Sequence, residues 1–272
     1  VSLFGGQVLS WRQASGDEVL FVRPDAVFDK SKPIAGGIPH CFPQFGPGRL
    51  PQHGFARLSE WSVASSSADP QPDDRDPEVQ LTLSDSEQTR AAWPHRFQCA
   101  FSVSLHGESL RLDLRVVNVD SHAWSFTTAL HSYFEVADLT KAAVRGLAGL
   151  TYLDKTQDAN NPVRQTESRR QVTFEKAVDY VFLNASDYAE VCVGNGAYGA
   201  TVEKMGAAIS ISSSGFPDMV VWNPGPSVPC HAQFVCAENA VAGEPVELQP
   251  GESWRGQVAL AVVDRPLHAS AA

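Results

Sequence analysis

His131 in TTALHSYFEV and Glu238 in FVCAEN are the residues of this chain best suited to exchanging protons near neutrality. A free imidazole titrates at about 6.5 and a glutamate at about 4.3, so one carries a proton where the other accepts one. Gln52, His53 and Arg57 sit together in LPQHGFAR, and Asp179 lies in AVDYVFL. Amide, imidazole and guanidinium groups are partners for hydroxyls and anions. Such a set would serve proton transfer on a neutral polyol such as a sugar. Each residue also has a plainer reading. A lone strand histidine is commonly a hydrogen-bonded structural residue. Asp179 would then bind backbone at a strand end. Glu238 follows the apolar FVC, where a carboxylate is costly to bury unless it is paired or has a task. Asp218 in GFPDMVVWNP is expected in a turn before a strand, with Trp222 packing in the core.

The elements that must position these groups are strands. Leu110, Leu112, Leu114 and Val116 alternate with Arg111, Asp113 and Arg115, the pattern of a half-buried strand. His106-Gly107-Glu108-Ser109 separates that run from FSVSL and signals a hairpin. Further short strands are expected at 79–83, 170–174, 189–193, 207–212, 219–222 and 257–263, and one short helix at 85–92, stopped by Pro94. Polar breaks at 65–78, 154–169 and 223–230 interrupt the strands; the first two read as solvated loops rather than domain linkers. Many short strands with regular turns give an all-β sandwich, expected as a single large domain over 1–272. The stretch GGIPHCFPQFGPG differs from the rest. Its glycines and prolines fix an irregular path that lets backbone approach a ligand, or else a packed loop with Phe42 and Phe45 as core plugs.

Composition narrows the function. The 272 residues are 43% hydrophobic, enough for a sizeable core, and carry a net charge of −10. Without a basic cluster, nucleic acid is not an expected partner. No apolar run reaches the roughly 18 residues of a membrane-spanning helix. The five cysteines are scattered and odd in number, which fits reduced thiols in a cytoplasmic or plastid compartment. Cys230, His231 and Cys236 hint at zinc but lack a paired CxxC or HxxxH, so no metal and no cofactor is expected. GNGAYG at 194–199 matches GxGxxG, yet an alternating strand follows it where a dinucleotide fingerprint needs a helix. The chain starts at Val1 rather than Met, which is compatible with processing or trimming of a start.

At SKPIAGGIPHCFPQFG, LPQHGFARLSEW, TTALHSYFEV, AVDYVFLN, DMVVWNP, VCAENA and LQPGESWRG the chain resembles the aldose 1-epimerase superfamily, in particular its hexose-6-phosphate mutarotase branch. These segments run in family order from residue 31 to 256. The resemblance implies a β-supersandwich and cofactor-free interconversion of α and β anomers. It makes Glu238 the general base on the anomeric hydroxyl and His131 the general acid on the ring oxygen. It gives Gln52, Arg57 and Asp179 to the substrate, with His53 beside them. A carboxylate near His131 is expected to raise its pKa and keep it protonated.

One departure from the branch stands at Ala35, where an arginine usually precedes the Gly-Gly, and another at His40, where an aliphatic residue is usual. Losing a charge-assisted contact to an anion removes about 1.5–3 kcal/mol. Arg57, Arg49 and Lys32 are the cations expected to compensate. His40 would either contact a hydroxyl or pack. The rival to an enzyme is a non-catalytic carbohydrate-binding or scaffold subunit that keeps the fold. Ala35 favours that rival, and the intact His131 and Glu238 oppose it. The preferred hexose and the oligomeric state are not legible.

Overall fold

In strand Ser109–Asn118 the alternating Leu110, Leu112, Leu114 and Val116 are buried, while Arg111 and Arg115 stay in solvent. The same period-two logic builds nearly every element of this computed structural model, which describes residues 1–67, 76–185, 188–193 and 207–264. GNGAYG lies outside the described residues. The hairpin expected at 106–109 closes with His106 paired to Ser109. The short helix is Glu87–Ala92, capped reciprocally by Ser86 and Thr89.

The strands form two sheets. One has eight strands, ordered His40–Cys41, Trp124–Leu130, Phe234–Leu248, Asp218–Asn223, Val178–Phe182, Thr151–Asp154 and Val163–Thr166, with Tyr133–Glu135 also paired to Phe234–Leu248. The other has nine: Gln171–Thr173, Ala143–Arg145, Tyr188–Cys192, Ala207–Ser214, Ser253–Asp264, Ser109–Asn118, Phe97–His106, Glu78–Ser84 and Ser62–Ser67. All pairings between these strands are antiparallel. This is the expected all-β supersandwich. No described helix is long and apolar enough to cross a membrane.

The eight-stranded sheet divides its side chains cleanly. Val221, Met219, Tyr180, Phe182, Val235, Ala237 and Leu130 point into the main core. Their strand neighbours Val220, Trp222, Asp179, Val181, Cys236 and Glu238 therefore share the opposite face. That second face carries the chemistry.

Two sequence expectations are corrected. The break at 154–169 is not simply a solvated loop: Val163–Thr166 is a strand paired to Thr151–Asp154. Its side chains are exposed, so it shows no burial alternation to read. Trp222 does not pack in the main core; it packs against a second, smaller cluster of Phe21, Tyr133, Cys230, Phe234 and Cys236. It lies on the outer face of its strand, half-buried, edge-on to Tyr133 with ring centroids 6.1 Å apart.

Candidate active site

The Gly-Gly at 36–37 works on the chain's own backbone. Gly37 has φ +64°, and a Cβ there would meet the Val8 carbonyl oxygen at 2.2 Å. Only glycine permits that approach. It lets Gly37 N–H donate to the Phe21 carbonyl and the Gly37 carbonyl accept from Tyr133 N–H. Two residues earlier in the same turn, His131 N–H donates to the Pro39 carbonyl at 2.9 Å. The loop thereby fixes where the His131 ring stands. Further on, His53 adopts φ +65°, a left-handed conformation uncommon for a residue with a Cβ. Gly54 follows with φ +71°, packed so closely that a Cβ would meet the Phe42 carbonyl oxygen at 2.3 Å. Phe42 is a core plug, with its ring among Phe55, Trp93, Phe97 and Phe126. Phe45 is not; it forms part of the cleft wall.

Six separated residues meet in one cleft of about 290 Å³: Gln52, His53, Arg57, His131, Asp179 and Glu238. A volume near the small end of ligand sites, about 300–1,000 Å³, suits a single monosaccharide. A larger hollow of about 720 Å³ lies on the nine-stranded sheet. It holds none of these residues, and its Arg255 is already committed to Asp113.

His131 and Glu238 face each other at the closed end. Nδ1 lies 3.2 Å from Glu238 Oε1. The histidine is 7% exposed and the glutamate 1%. The contact is close but not aligned as a hydrogen bond, so Nδ1 and Glu238 Oε2 are both buried without a hydrogen-bond partner. Such groups cost free energy while they wait for a ligand. Burial pushes the Glu238 carboxyl well above the usual range, and the Asp179 charge adds to it while Lys155 and Arg57 oppose. Burial pushes the His131 imidazolium well down, helped by the neighbouring His53 and Arg57. The expectation that a carboxylate keeps His131 protonated is thus corrected, because desolvation of a nearly sealed imidazole outweighs one neighbouring charge.

His53 is neutral, its pKa depressed to about 3 by burial and by Arg57 and Lys155. Its Nδ1 accepts from Gly46 N–H at 3.2 Å, and its Nε2 lies 3.3 Å from the Gln52 amide nitrogen. Arg57, on the short turn Ala56–Leu58, donates from Nη2 to the Gln52 carbonyl at 2.7 Å, and its buried Nε has no partner. Asp179 is held above its ordinary pKa by burial, with Lys155 opposing and Asp154 adding. Its side chain faces the cleft rather than tying down backbone. That backbone role falls to Asp218, whose carboxylate accepts from Asn184, Ala242 and Gly243 N–H.

His40 stands apart. It is buried against Trp61 at 4.8 Å and Phe101 at 4.4 Å, and Nε2 sits 3.2 Å from the Gly6 carbonyl oxygen. It packs, and does not touch the cleft. Burial depresses its pKa to about 4. Arg49 and Lys32 are exposed and do not line the cleft either.

Sequence reasoning missed Lys155. Its ammonium lies 5.1 Å over the Phe45 ring, within the cleft, and has no ion-pair partner among the described residues. The signal was the register: Asp154 pairs opposite Tyr180, which brings the next residue, Lys155, beside Asp179. Tyr133 and Trp222 were missed as well. Tyr133 stacks on His131 at 4.8 Å, and Trp222 meets the same imidazole edge-on at 5.8 Å. All five cysteines are free thiols. Cys230 and His231 take no part in the cleft lining, but Cys236 lies close behind Glu238, and Cys236, Glu238 and His131 hold ligand-type atoms within 4.8 Å of one another.

The model of the family described as aldose 1-epimerase matches residues 1–261. A Cenchrus ciliaris protein named "Putative glucose-6-phosphate 1-epimerase" is 36% identical over 280 residues, 97% of this chain and 80% of its own. An Escherichia coli K12 protein of the same name is 33% identical over 258 residues, covering 89% and 79%. Among solved structures, a "putative mutarotase (YeaD)" from Salmonella typhimurium superposes with a TM-score of 0.82 at 28% identity, over 97% of this chain and 86% of that one. The Slr1438 protein of Synechocystis shares the fold with a TM-score of 0.80 at 24% identity, over 97% and 91%.

Proposed function

This chain belongs to the aldose 1-epimerase family and is a sugar isomerase, and from that premise we propose that it interconverts the α and β anomers of a hexose 6-phosphate. Glu238 takes the proton of the anomeric hydroxyl, and His131 delivers one to the ring oxygen. The ring opens to the aldehyde, the C1–C2 bond rotates, and closure on the other face returns both protons. The observation that carries this reading is the 3.2 Å approach of a buried imidazole and a buried carboxylate at the end of a sugar-sized cleft.

The pair needs one proton between its members. Carboxylate plus imidazolium is a buried ion pair; carboxylic acid plus imidazole is neutral. Ring opening converts the first form into the second. Burial raises Glu238 and lowers His131, so it favours the form reached on opening. Desolvation thereby favours proton transfer in the opening step and opposes it on closing, while Arg57 and Lys155 favour the Glu238 carboxylate.

The phosphate preference rests on cations in the cleft. The branch's usual arginine is Ala35 here, but Lys155 lies unpaired at the wall and Arg57 keeps a buried Nε–H free of partners. Asp179, Gln52 and His53 remain for the sugar hydroxyls. Five unpaired thiols support a reducing compartment. Exchange NMR of equilibrated glucose 6-phosphate tests the reading. The purified protein should speed anomer exchange well above buffer, and Glu238→Gln should lower that rate by about 10²–10⁴. Wild-type exchange in Glu238→Gln removes the assignment. No exchange with any hexose or hexose phosphate leaves a binding subunit.

A further inference from the structure

We infer that His131, Cys236 and Glu238 form a binding site for a thiophilic divalent cation of the zinc class, placed on the same face of the sheet as the sugar cleft.

The strand Phe234–Leu248 sets the site up. Cys236 and Glu238 are two residues apart, so the pleat sends both side chains to one face. Cys236 stands opposite Tyr133 on one side and Trp222 on the other, and Glu238 stands opposite Val220. His131 reaches the same face from the turn just before Tyr133. A ring nitrogen of His131, Sγ of Cys236 and a carboxylate oxygen of Glu238 all lie within 4.8 Å of one another. A tetrahedral zinc with bonds of about 2.0–2.3 Å holds its ligand atoms about 3.4 Å apart. Nδ1 and Glu238 Oε1 are already at 3.2 Å. The sulfur needs a small side-chain adjustment.

A second, independent observation points to a ligand. His131 Nδ1 and Glu238 Oε2 are buried and have no hydrogen-bond partner, in residues 7% and 1% exposed. One nitrogen, one sulfur and one oxygen donor suit Zn²⁺ or Co²⁺. They do not suit Mg²⁺ or Ca²⁺, which take six or more oxygens. Three protein ligands leave the fourth position toward the cleft, open to water or a hydroxyl. Binding releases the Cys236 thiol proton to solvent as the Zn–S bond forms, and any proton on Glu238 leaves with it. No redox change is involved. Coordination of Nδ1 and the carboxylate occupies both proton carriers, so anomer exchange stops. This last consequence rests on the proposed function; the metal site itself does not.

The test uses the full chain, stripped with EDTA, desalted and kept reduced with a phosphine. Co²⁺ is titrated in. The expected result is one equivalent bound, visible-range bands of a four-coordinate ion, and a near-ultraviolet thiolate-to-cobalt charge-transfer band that Zn²⁺ abolishes. In Cys236→Ser the charge-transfer band is lost and cobalt affinity falls at least tenfold, while anomer exchange by the metal-free protein persists. Circular dichroism of the variant confirms that it is folded. Absence of the band at saturating Co²⁺, or its survival in Cys236→Ser, overturns the site. Zn²⁺ should also inhibit exchange with a midpoint equal to its dissociation constant. A zinc complex that exchanges anomers at full rate would keep the site and sink the acid–base roles of His131 and Glu238. If the metal-free protein exchanges no anomers, the proposed function fails and the cobalt spectrum still decides the site.

Discussion

Lys155→Met is expected to separate the proposed phosphate contact from the proposed proton chemistry. Lys155 has no ion-pair partner among the described residues, and its ammonium lies 5.1 Å over the Phe45 ring in the cleft wall. Methionine preserves an unbranched stem against Phe45 and removes only the charge. A charge-assisted contact to a phosphate is worth about 1.5–3 kcal/mol, so kcat/KM for a hexose 6-phosphate should fall roughly ten- to hundredfold. Lys155 also lowers the pKa of Glu238 and of Asp179, so its loss raises both carboxyls further. That second effect acts on phosphorylated and neutral hexoses alike. The ratio of kcat/KM for glucose 6-phosphate to that for glucose therefore isolates the phosphate contact. Exchange NMR on both sugars measures it, and Lys155→Arg should restore most of the ratio. An unchanged ratio in Lys155→Met refutes the assignment of this lysine, whether both rates fall together or neither moves.

Three other outcomes are expected. The rate of anomer exchange should follow a bell in pH, because the His131–Glu238 pair works with one proton. Its acid limb lies below the ordinary imidazole value, since His131 is depressed, and its alkaline limb lies above the ordinary carboxylate value, since Glu238 is raised; a rate that falls as pH drops from 8 to 6.5 contradicts this. Ala35→Arg should tighten binding of a hexose 6-phosphate about tenfold or more by calorimetry, and no change in affinity or rate would discard the account of that position. Buried His40 titrates at about 4, below its unfolded value of about 6.5, so the unfolded chain binds the proton first and stability is lost as pH falls through that window. For a fully buried ring the loss is on the order of 3 kcal/mol, and urea midpoints at pH 7 and pH 4.5 should differ less in His40→Phe than in the parent.

The architecture was legible because burial leaves a period. Leu110 to Val116 alternate, and the strand there alternates in burial residue by residue. The site residues were legible for a different reason. A glutamate after FVC and a histidine after FTTAL break an apolar pattern, and such breaks are expensive unless something uses them. What escaped was whatever lies in a strand with no buried face. Val163–Thr166 is exposed throughout, so its composition looks like a loop, and the break at 154–169 that it interrupts begins just where Lys155 enters the cleft. Trp222 was misplaced by the same blindness in reverse. Its apolar neighbours Val220 and Val221 are both buried, but only Val221 belongs to the main core. Period alone says that 220 and 222 share a face, and it cannot say which face is the core.

The protonation of the proposed acid–base pair was misread for a reason that also bears on how such a pair would work. Along the chain, a carboxylate near an imidazole reads as a simple attraction that keeps the imidazole charged. In the fold both groups are almost sealed, at 1% and 7% exposure, and the desolvation of each charge comes first among the causes that move its pKa. Coulomb attraction across 3.2 Å still opposes it. An exposed pair would hold its charges and gain little by passing a proton through the substrate. Burial of both groups favours the neutral form of the pair, while their mutual attraction favours the charged one. A shuttle that must run both ways, opening the ring and closing it again, requires that balance. Adding a hydrogen-bond donor to the free Glu238 Oε2 would stabilise the carboxylate, lower its pKa, and slow ring opening, because a weaker base takes the anomeric proton less readily.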